Sequence, residues 1–265
     1  MKEAAVAWKY IKVSREGGLM TITLNRPEVL NALNKGMLDE IDMVFSVITA
    51  MSNTNVLIFT GAEDRAFCVG ADINELAAMS AEDFDNWLIL NQTFFNKIAS
   101  LGIPVIAALN GYTLGGGLEL ALACDLRIAK EGIELGLPEA RLGLLPGTGG
   151  TQRLTRLVGP GITKELIFTG RRVKVEEALR LGIVNQVVPA ADWPQAVNDL
   201  AKDIADRAPL SLQRAKQCVD AAGEYPLQEG LDTERRLNVE CFKSEDFREG
   251  LAAFREKRAP FFRGR

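Results

Sequence analysis

The sequence predicts an α/β protein with a helical C-terminal region, and three observations carry that expectation. Short, continuously apolar strands recur ahead of helical stretches, glycine clusters stand between strand and helix, and from Asp192 onward the pattern is helical throughout. The 265 residues suffice for one large core with an appendage. The expected division is a core over residues 1–191 that carries the site, followed by a helical region over residues 192–265.

In chain order, residues 8–15 alternate as a half-exposed strand, Gly17-Gly18 supplies a turn, and residues 19–25 pair back. Arg26-Pro27 breaks this hairpin. Leu38, Ile41, Val44, Phe45 and Ile48 then follow helical spacing over 37–51. Residues 56–60 read as a strand buried on both faces, and 61–76 as a loop. Ser80-Ala81-Glu82-Asp83 caps a helix running towards Ser100. A strand at 104–109, a helix near 117–124, a strand at 125–129, a helix at 149–158 and a final strand within 183–188 complete the core. Four helices follow, near 192–207, 209–222, 227–241 and 245–257.

Composition narrows the function. Apolar residues make up 47% of the chain, and 31 basic against 35 acidic residues leave a net charge of −4. That balance argues against a nucleic-acid partner, while leaving room for a local basic patch on a phosphorylated ligand. Histidine is absent, which excludes Ser-His-Asp and Cys-His catalysis and removes the commonest zinc ligand, so no metal is expected. Cys68, Cys124, Cys218 and Cys241 show no C-x-x-C spacing and read as small buried hydrophobes of a reducing compartment. The first ten residues lack the apolar run of a signal peptide, and no stretch is long enough to span a bilayer. A cytoplasmic protein with no membrane partner is the expectation.

The chemistry concentrates between Asn110 and Arg153, where Glu119 and Glu139 stand in almost wholly apolar surroundings beside two glycine clusters. Burying a carboxylate costs several kcal/mol unless it is paired, hydrogen-bonded or protonated, so a chain that does so twice is using the acids. They read as a general acid/base pair around one water, able to add or remove water across an activated double bond. Glu119 follows Gly116 by one helical turn, so its side chain is expected to point back at the N–H groups of Gly115-Gly116-Gly117. The blander accounts are a dipole partner for Glu119 and a salt bridge from Glu139 to Arg141 or Arg153. Glu131, Glu134 and Asp125 are read as structural.

Gly115-Gly116-Gly117 exposes backbone N–H groups at a helix start, which suits an oxyanion. Taken alone, a tight turn explains it better. Gly70-Ala71-Asp72 offers a second N–H donor, and alone an Asx turn at Asp72 explains it better. Neither glycine cluster is a dinucleotide fingerprint or a phosphate-binding P-loop, because Gln152 stands where the third glycine is needed and no Gly-Lys-Ser/Thr follows.

In combination these motifs resemble one family. Phe67-Cys-Val-Gly-Ala-Asp-Ile73, then Pro104-Val-Ile-Ala-Ala-Leu-Asn-Gly-Tyr-Thr-Leu-Gly-Gly-Gly-Leu-Glu119 continuing to Cys124-Asp125, and Leu137-Pro-Glu139 through Pro146-Gly-Thr-Gly-Gly-Thr-Gln-Arg-Leu154 are similar to the enoyl-CoA hydratase/isomerase (crotonase) family. The likeness runs from the Asn25-Arg26-Pro27 loop to Arg258. It implies a spiral of ββα turns with a C-terminal helical trimerisation region, and a homohexamer built as a dimer of trimers. It implies an acyl-CoA thioester substrate whose carbonyl oxygen is held by the N–H groups of Ala71 and Gly116. Glu119 would position and activate water and Glu139 would deliver a proton to the α-carbon, giving a 3-hydroxyacyl-CoA with no cofactor beyond the coenzyme A of the substrate. Isomerases of the family typically use one acid and its dehalogenases need a histidine, so both glutamates favour a hydratase. An isomerase, a hydratase of branched or cyclic enoyl-CoA, and an RNA-binding scaffold are the rivals.

The resemblance also implies that Ala71, Asp72, Ile73 and Asn74 run along the thioester and pantetheine beside Gly115 and Gly116. Glu28, Val29 and Leu30 would lie near the adenine, with Phe254 and Lys257 at the CoA tail in a neighbouring subunit. The chain departs from many relatives at Glu28 and Asn74, where lysine is common, and at Val69, where Ala or Ser is commoner.

Overall fold

The computed structural model describes residues 8–50 and 54–265. The N-terminal stretch before Trp8 and the expected end of the first helix at Met51 lie outside the described residues.

The opening hairpin forms as expected: β1 (Ile11–Glu16) and β2 (Leu19–Leu24) pair antiparallel, with Ile11 opposite Leu24 and Glu16 opposite Leu19. Helix α1 (Lys35–Ala50) buries Met37, Leu38, Ile41, Val44, Phe45 and Ile48 along one face. The chain then runs β3 (Val56–Gly61), β4 (Ala66–Cys68), the short α2 (Ile73–Ala77) and α3 (Ala81–Ala99). A second circuit is β5 (Val105–Leu109), β6 (Tyr112–Leu114) and α4 (Gly116–Ala123). A third is β7 (Leu126–Lys130) and β8 (Glu134–Gly136), a turn of 3-10 helix at Glu139–Leu142, then α5 (Gly150–Val158) and α6 (Pro160–Thr169). Strand β9 (Val173–Lys174), α7 (Val175–Arg180) and β10 (Gln186–Val188) close the core.

Each circuit adds one parallel strand to each of two sheets. The larger sheet has the order β1-β2-β3-β5-β7-β10 and the smaller β4-β6-β8-β9. Parallel neighbours need a crossover, and here the crossover carries a second strand as well as a helix. The result is the spiral of ββα turns. Alternation along the strands explains why 56–59 is apolar at every position. Leu57 and Phe59 face the main core with Val105, Ala107 and Leu109, whereas Val56 and Ile58 face a second cluster with Ile106, Ala108 and Ile128. That second face is covered by α8 (Trp193–Ala205), through Trp193 and Ala201.

Two expectations change. Residues 61–76 hold β4 and α2 rather than a continuous loop. Three-residue strands such as β4, β6 and β8 are too short to show a period, and only pairing in register, Ala66 with Tyr112 and Thr113 with Leu135, defines them. The cysteines also divide: Cys68 and Cys124 are buried, with burial pushing both thiols up to about 12, but Cys218 and Cys241 are only half-buried.

The cap at Ser80 is a full capping box, in which Ser80 Oγ accepts from Asp83 N and Asp83 accepts from Ser80 N. Beyond α8 lie α9 (Pro209–Ala221), α10 (Leu227–Lys243) and α11 (Glu245–Glu256). Lys216 of α9 joins this region to the core by an ion pair of 2.9 Å with Asp125 and a bond to the Ile103 carbonyl. Leu227, Phe242, Phe254 and Phe261 leave large apolar side chains exposed on the helical region. Among the described residues no helix is long and apolar enough to cross a membrane, and no group of acids and cysteines could hold a metal ion.

Candidate active site

The site is built where the circuits of the spiral stack, so equivalent corners of successive turns meet. The loop after β2 is pinned first. Asn31, fully buried in the left-handed region, donates to the carbonyls of Ala62 and Ala66, and its Oδ1 accepts from Arg26 N. Arg26 donates to the Ala32 carbonyl and forms an ion pair of 2.8 Å with Asp72. Leu33 and Ala71 then form a parallel bridge, with Leu33 N donating to Gly70 O and Asp72 N donating to Leu33 O. In such a bridge the bonds flank Ala71, so its own N–H points away from Leu33.

That N–H faces the start of α4. A side chain on Gly116 would project to within 3.7 Å of the Ala71 nitrogen, and Gly116 is the first residue of α4, whose N–H has no partner within its own helix. The two donors expected from the sequence are therefore neighbours. Gly115, the N-cap, has φ +54°, a conformation glycine adopts freely. Its missing side chain also leaves room for Glu139, because a Cβ there would lie 3.2 Å from Glu139 Oε1.

Glu139 starts the 3-10 turn after Pro138. Its Oε2 is buried and has no hydrogen-bond partner among the described residues. Neither Arg141 nor Arg153 pairs with it; Arg153 donates instead to Thr148 O and Asn96 Oδ1. Burial raises its carboxyl to about 7, with the negative charge of Glu119 adding to the rise. A carboxyl in that condition can carry a proton at neutral pH.

Glu119 is 3% exposed and differs in every contact. Its Oε1 accepts from Thr148 N and Gly150 N, both at 2.8 Å, and its Oε2 accepts the Thr148 hydroxyl. The expectation that it points back at Gly115-Gly116-Gly117 is corrected. All of α4 from Gly117 to Ala123 is buried, and the carboxylate reaches sideways to the start of α5, where the second glycine cluster presents its own N–H groups. The pairing is crossed: Glu119 sits on the Gly147–Gly150 cluster, and Glu139 on Gly115.

The remaining expected residues sort by position. Asp72 caps α2, accepting from Asn74 N at 3.0 Å, so its carboxylate is committed to Arg26 and the turn. Ile73 and Asn74 are exposed beside it, and Glu28, Val29 and Leu30 form the short 3-10 turn of the pinned loop and its left-handed cap. Phe254 is 83% exposed and Lys257 caps α11 in the left-handed region, so no contact within this chain ties either to the glutamates. Asp125, Glu131 and Glu134 are structural as read, bonded to Lys216, Ala190 N and Arg172. Phe94 and Phe95 belong to the core, and Trp87 stacks on Phe84. Sequence reasoning missed the Thr148 hydroxyl and the Arg26–Asp72 pair. Both lie inside the motifs that carry the family resemblance, but only folding shows what they touch.

Known proteins converge on the same result. The profile described as enoyl-CoA hydratase/isomerase matches residues 14–265. A short-chain-enoyl-CoA hydratase of Clostridium acetobutylicum is 41% identical over 246 residues, 93% of this chain and 94% of that protein. A crotonyl-CoA hydratase of Syntrophomonas wolfei is 38% identical over 260 residues, 97% of this chain and 99% of that one. The crystal structure of an enoyl-CoA hydratase from Bacillus anthracis superposes with a TM-score of 0.94 at 40% identity, covering 97% of this chain and all of the other. Sequence, fold and relatives agree that the chain belongs to the enoyl-CoA hydratase/isomerase family.

Proposed function

We propose that this protein is an enoyl-CoA hydratase that adds water across the double bond of a 2-trans-enoyl-CoA to give the 3-hydroxyacyl-CoA. The observation that carries this reading is the contrast between the two acids: Glu119 is met only by donors, whereas Glu139 is raised to about 7 and has an unpartnered oxygen. The N–H groups of Ala71 and Gly116 hold the thioester oxygen, which gains negative charge as the β-carbon is attacked. Glu119 holds the water by its remaining lone pair. The water oxygen bonds to the β-carbon, Glu139 releases its proton to the α-carbon, and the acid pair takes up the proton lost by water. The pair thus ends with the protons it had, and both new bonds form on the face where the acids lie, a syn addition.

Short acyl chains are the first substrates to test, on the strength of the relatives named for short-chain and crotonyl substrates. Glu28, Val29, Leu30, Ile73 and Asn74 line the CoA path, with Asp72 ordering it through Arg26. Phe254 and Lys257 serve the CoA tail of a neighbouring subunit, consistent with the exposure of Phe254. The exposed apolar residues of the helical region support a homo-oligomer, with a hexamer as the expected form. The reaction uses no cofactor, and the cytoplasm is the proposed compartment. Loss of the conjugated thioester absorbance of crotonyl-CoA tests the activity directly. Turnover of a 3-enoyl-CoA without hydration of crotonyl-CoA would overturn it in favour of an isomerase.

A further inference from the structure

The turn Pro146-Gly147-Thr148-Gly149-Gly150 would bind Glu119 through its peptide N–H groups whatever side chain stood at position 148. This chain has a hydroxyl there, 2% exposed, and it donates to Glu119 Oε2. Every polar group of Thr148 is committed, because its N–H reaches Glu119 Oε1 at 2.8 Å and its carbonyl accepts from Arg153 at 3.1 Å. Arg153 is itself anchored on Asn96 of α3 at 2.7 Å, and Gln92 of the same helix holds the adjacent Gly147 carbonyl at 2.7 Å. The hydroxyl is therefore presented by a turn that two side chains of α3 and α5 fix from outside.

Counting lone pairs gives this contact a consequence. Each carboxylate oxygen has two. Those of Oε1 are both taken, by Thr148 N and Gly150 N. The hydroxyl takes one of the two on Oε2, leaving one open direction on the whole group. Without the hydroxyl, Oε2 would have two open directions, and the carboxylate would be held through one oxygen only and could rock about it.

Building on the hydratase reading above, we infer that Thr148 is a positioning residue: its hydroxyl fixes the Glu119 carboxylate so that a single Oε2 lone pair is left to hold the attacking water. It acts through Glu119 and does not touch the reacting atoms. Misplacing a reacting group slightly lowers the rate of the bound complex more than its formation.

The test compares Thr148→Ala and Thr148→Ser with the wild type in crotonyl-CoA hydration, each alone and combined with Glu119→Gln. In the Ala variant kcat should fall by about tenfold or more with KM within about twofold, the signature of lost positioning. The Ser variant, which keeps the hydroxyl, should recover most of kcat. In the Glu119→Gln background the further change to Ala should alter kcat by less than about twofold, since there is no longer a carboxylate to position. An Ala variant with wild-type kcat, a Ser variant as slow as Ala, or an equal loss in both backgrounds would each overturn the inference. A wild-type enzyme that hydrates no enoyl-CoA overturns the hydratase reading and this inference with it; an active wild type with an unaltered Ala variant overturns the inference alone.

Discussion

Glu119 accepts the backbone N–H of Gly150 at 2.8 Å across 31 positions of sequence, and so neutralises the positive end of α5 rather than that of its own helix. This geometry separates two substitutions. In Glu119→Gln the amide oxygen still accepts both backbone N–H groups, while Thr148 Oγ1 can turn to accept from the new NH2. Hydration should fall by about a hundredfold or more, because the water loses its acceptor, with stability changed by less than about 1 kcal/mol. Glu119→Ala leaves three buried donors unpaired and should cost several kcal/mol, at about 1–3 kcal/mol for each orphaned group. Steady-state kinetics and urea melts of the two variants check both halves.

The proposed role of Glu139 as proton donor predicts a pH dependence. Its carboxyl rises from 4.5 to about 7, so the folded protein holds this proton more tightly than the unfolded chain. On the proposed mechanism hydration needs the proton on Glu139, and kcat/KM, which reports ionisations of the free enzyme, should fall as pH rises through about 7. In Glu139→Gln hydration should be almost abolished and that pH limb lost.

The same shift gives a stability effect of definite sign. Below the unfolded value both states carry the proton and ionisation costs nothing. Between 4.5 and about 7 the folded state binds more protons, so stability drops as pH rises, and above that the full cost is present. Glu139→Gln should therefore raise Tm relative to wild type at pH 8, by the equivalent of up to about 3 kcal/mol, with little change near pH 5. Thermal melts at the two pH values decide it, and an equal gain at both would point to packing rather than ionisation.

Gly117 is required for close approach. An added Cβ would stand 2.1 Å from the carbonyl oxygen of Cys68, a backbone atom of β4 that cannot step aside. Gly117→Ala must push α4 from β4 and separate the N–H groups of Gly116 and Ala71. We expect a loss of about 3 kcal/mol or more, at the upper end of overpacking costs, and a larger fall in kcat than the Tm change alone explains.

Arg26 and Asp72, 14% and 10% exposed at the side chain, tie the loop after β2 to the segment that carries Ala71. The guanidinium holds the Asp72 carboxyl below its usual value. Stability from this pair is thus present above the unfolded value and lost as pH falls through the lower folded one. Asp72→Asn should weaken binding of the CoA substrate, raising KM several-fold, and should flatten the acid limb of the melting profile. A variant with unchanged KM would separate the ion pair from the substrate path.

The sequence by itself was enough for the recurring strand and helix, the helical end and the two acids. Each of these is a local property: continuous apolar strands such as 56–59, the capping box at Ser80, and glutamates set among apolar neighbours. Tertiary structure alone decided what the acids touch. Side-chain direction along α4 suggested that Glu119 meets the glycines just before it, but Gly117–Ala123 is buried, and the donors that the carboxylate meets belong to the next circuit of the spiral. The small strands β4, β6 and β8 and the bridge between Leu33 and Ala71 exist only through pairing with distant segments. Propensity and period report on neighbours along the chain, whereas hydrogen-bond partners and desolvation are set by neighbours in space, and the chemistry of this site depends on the second kind.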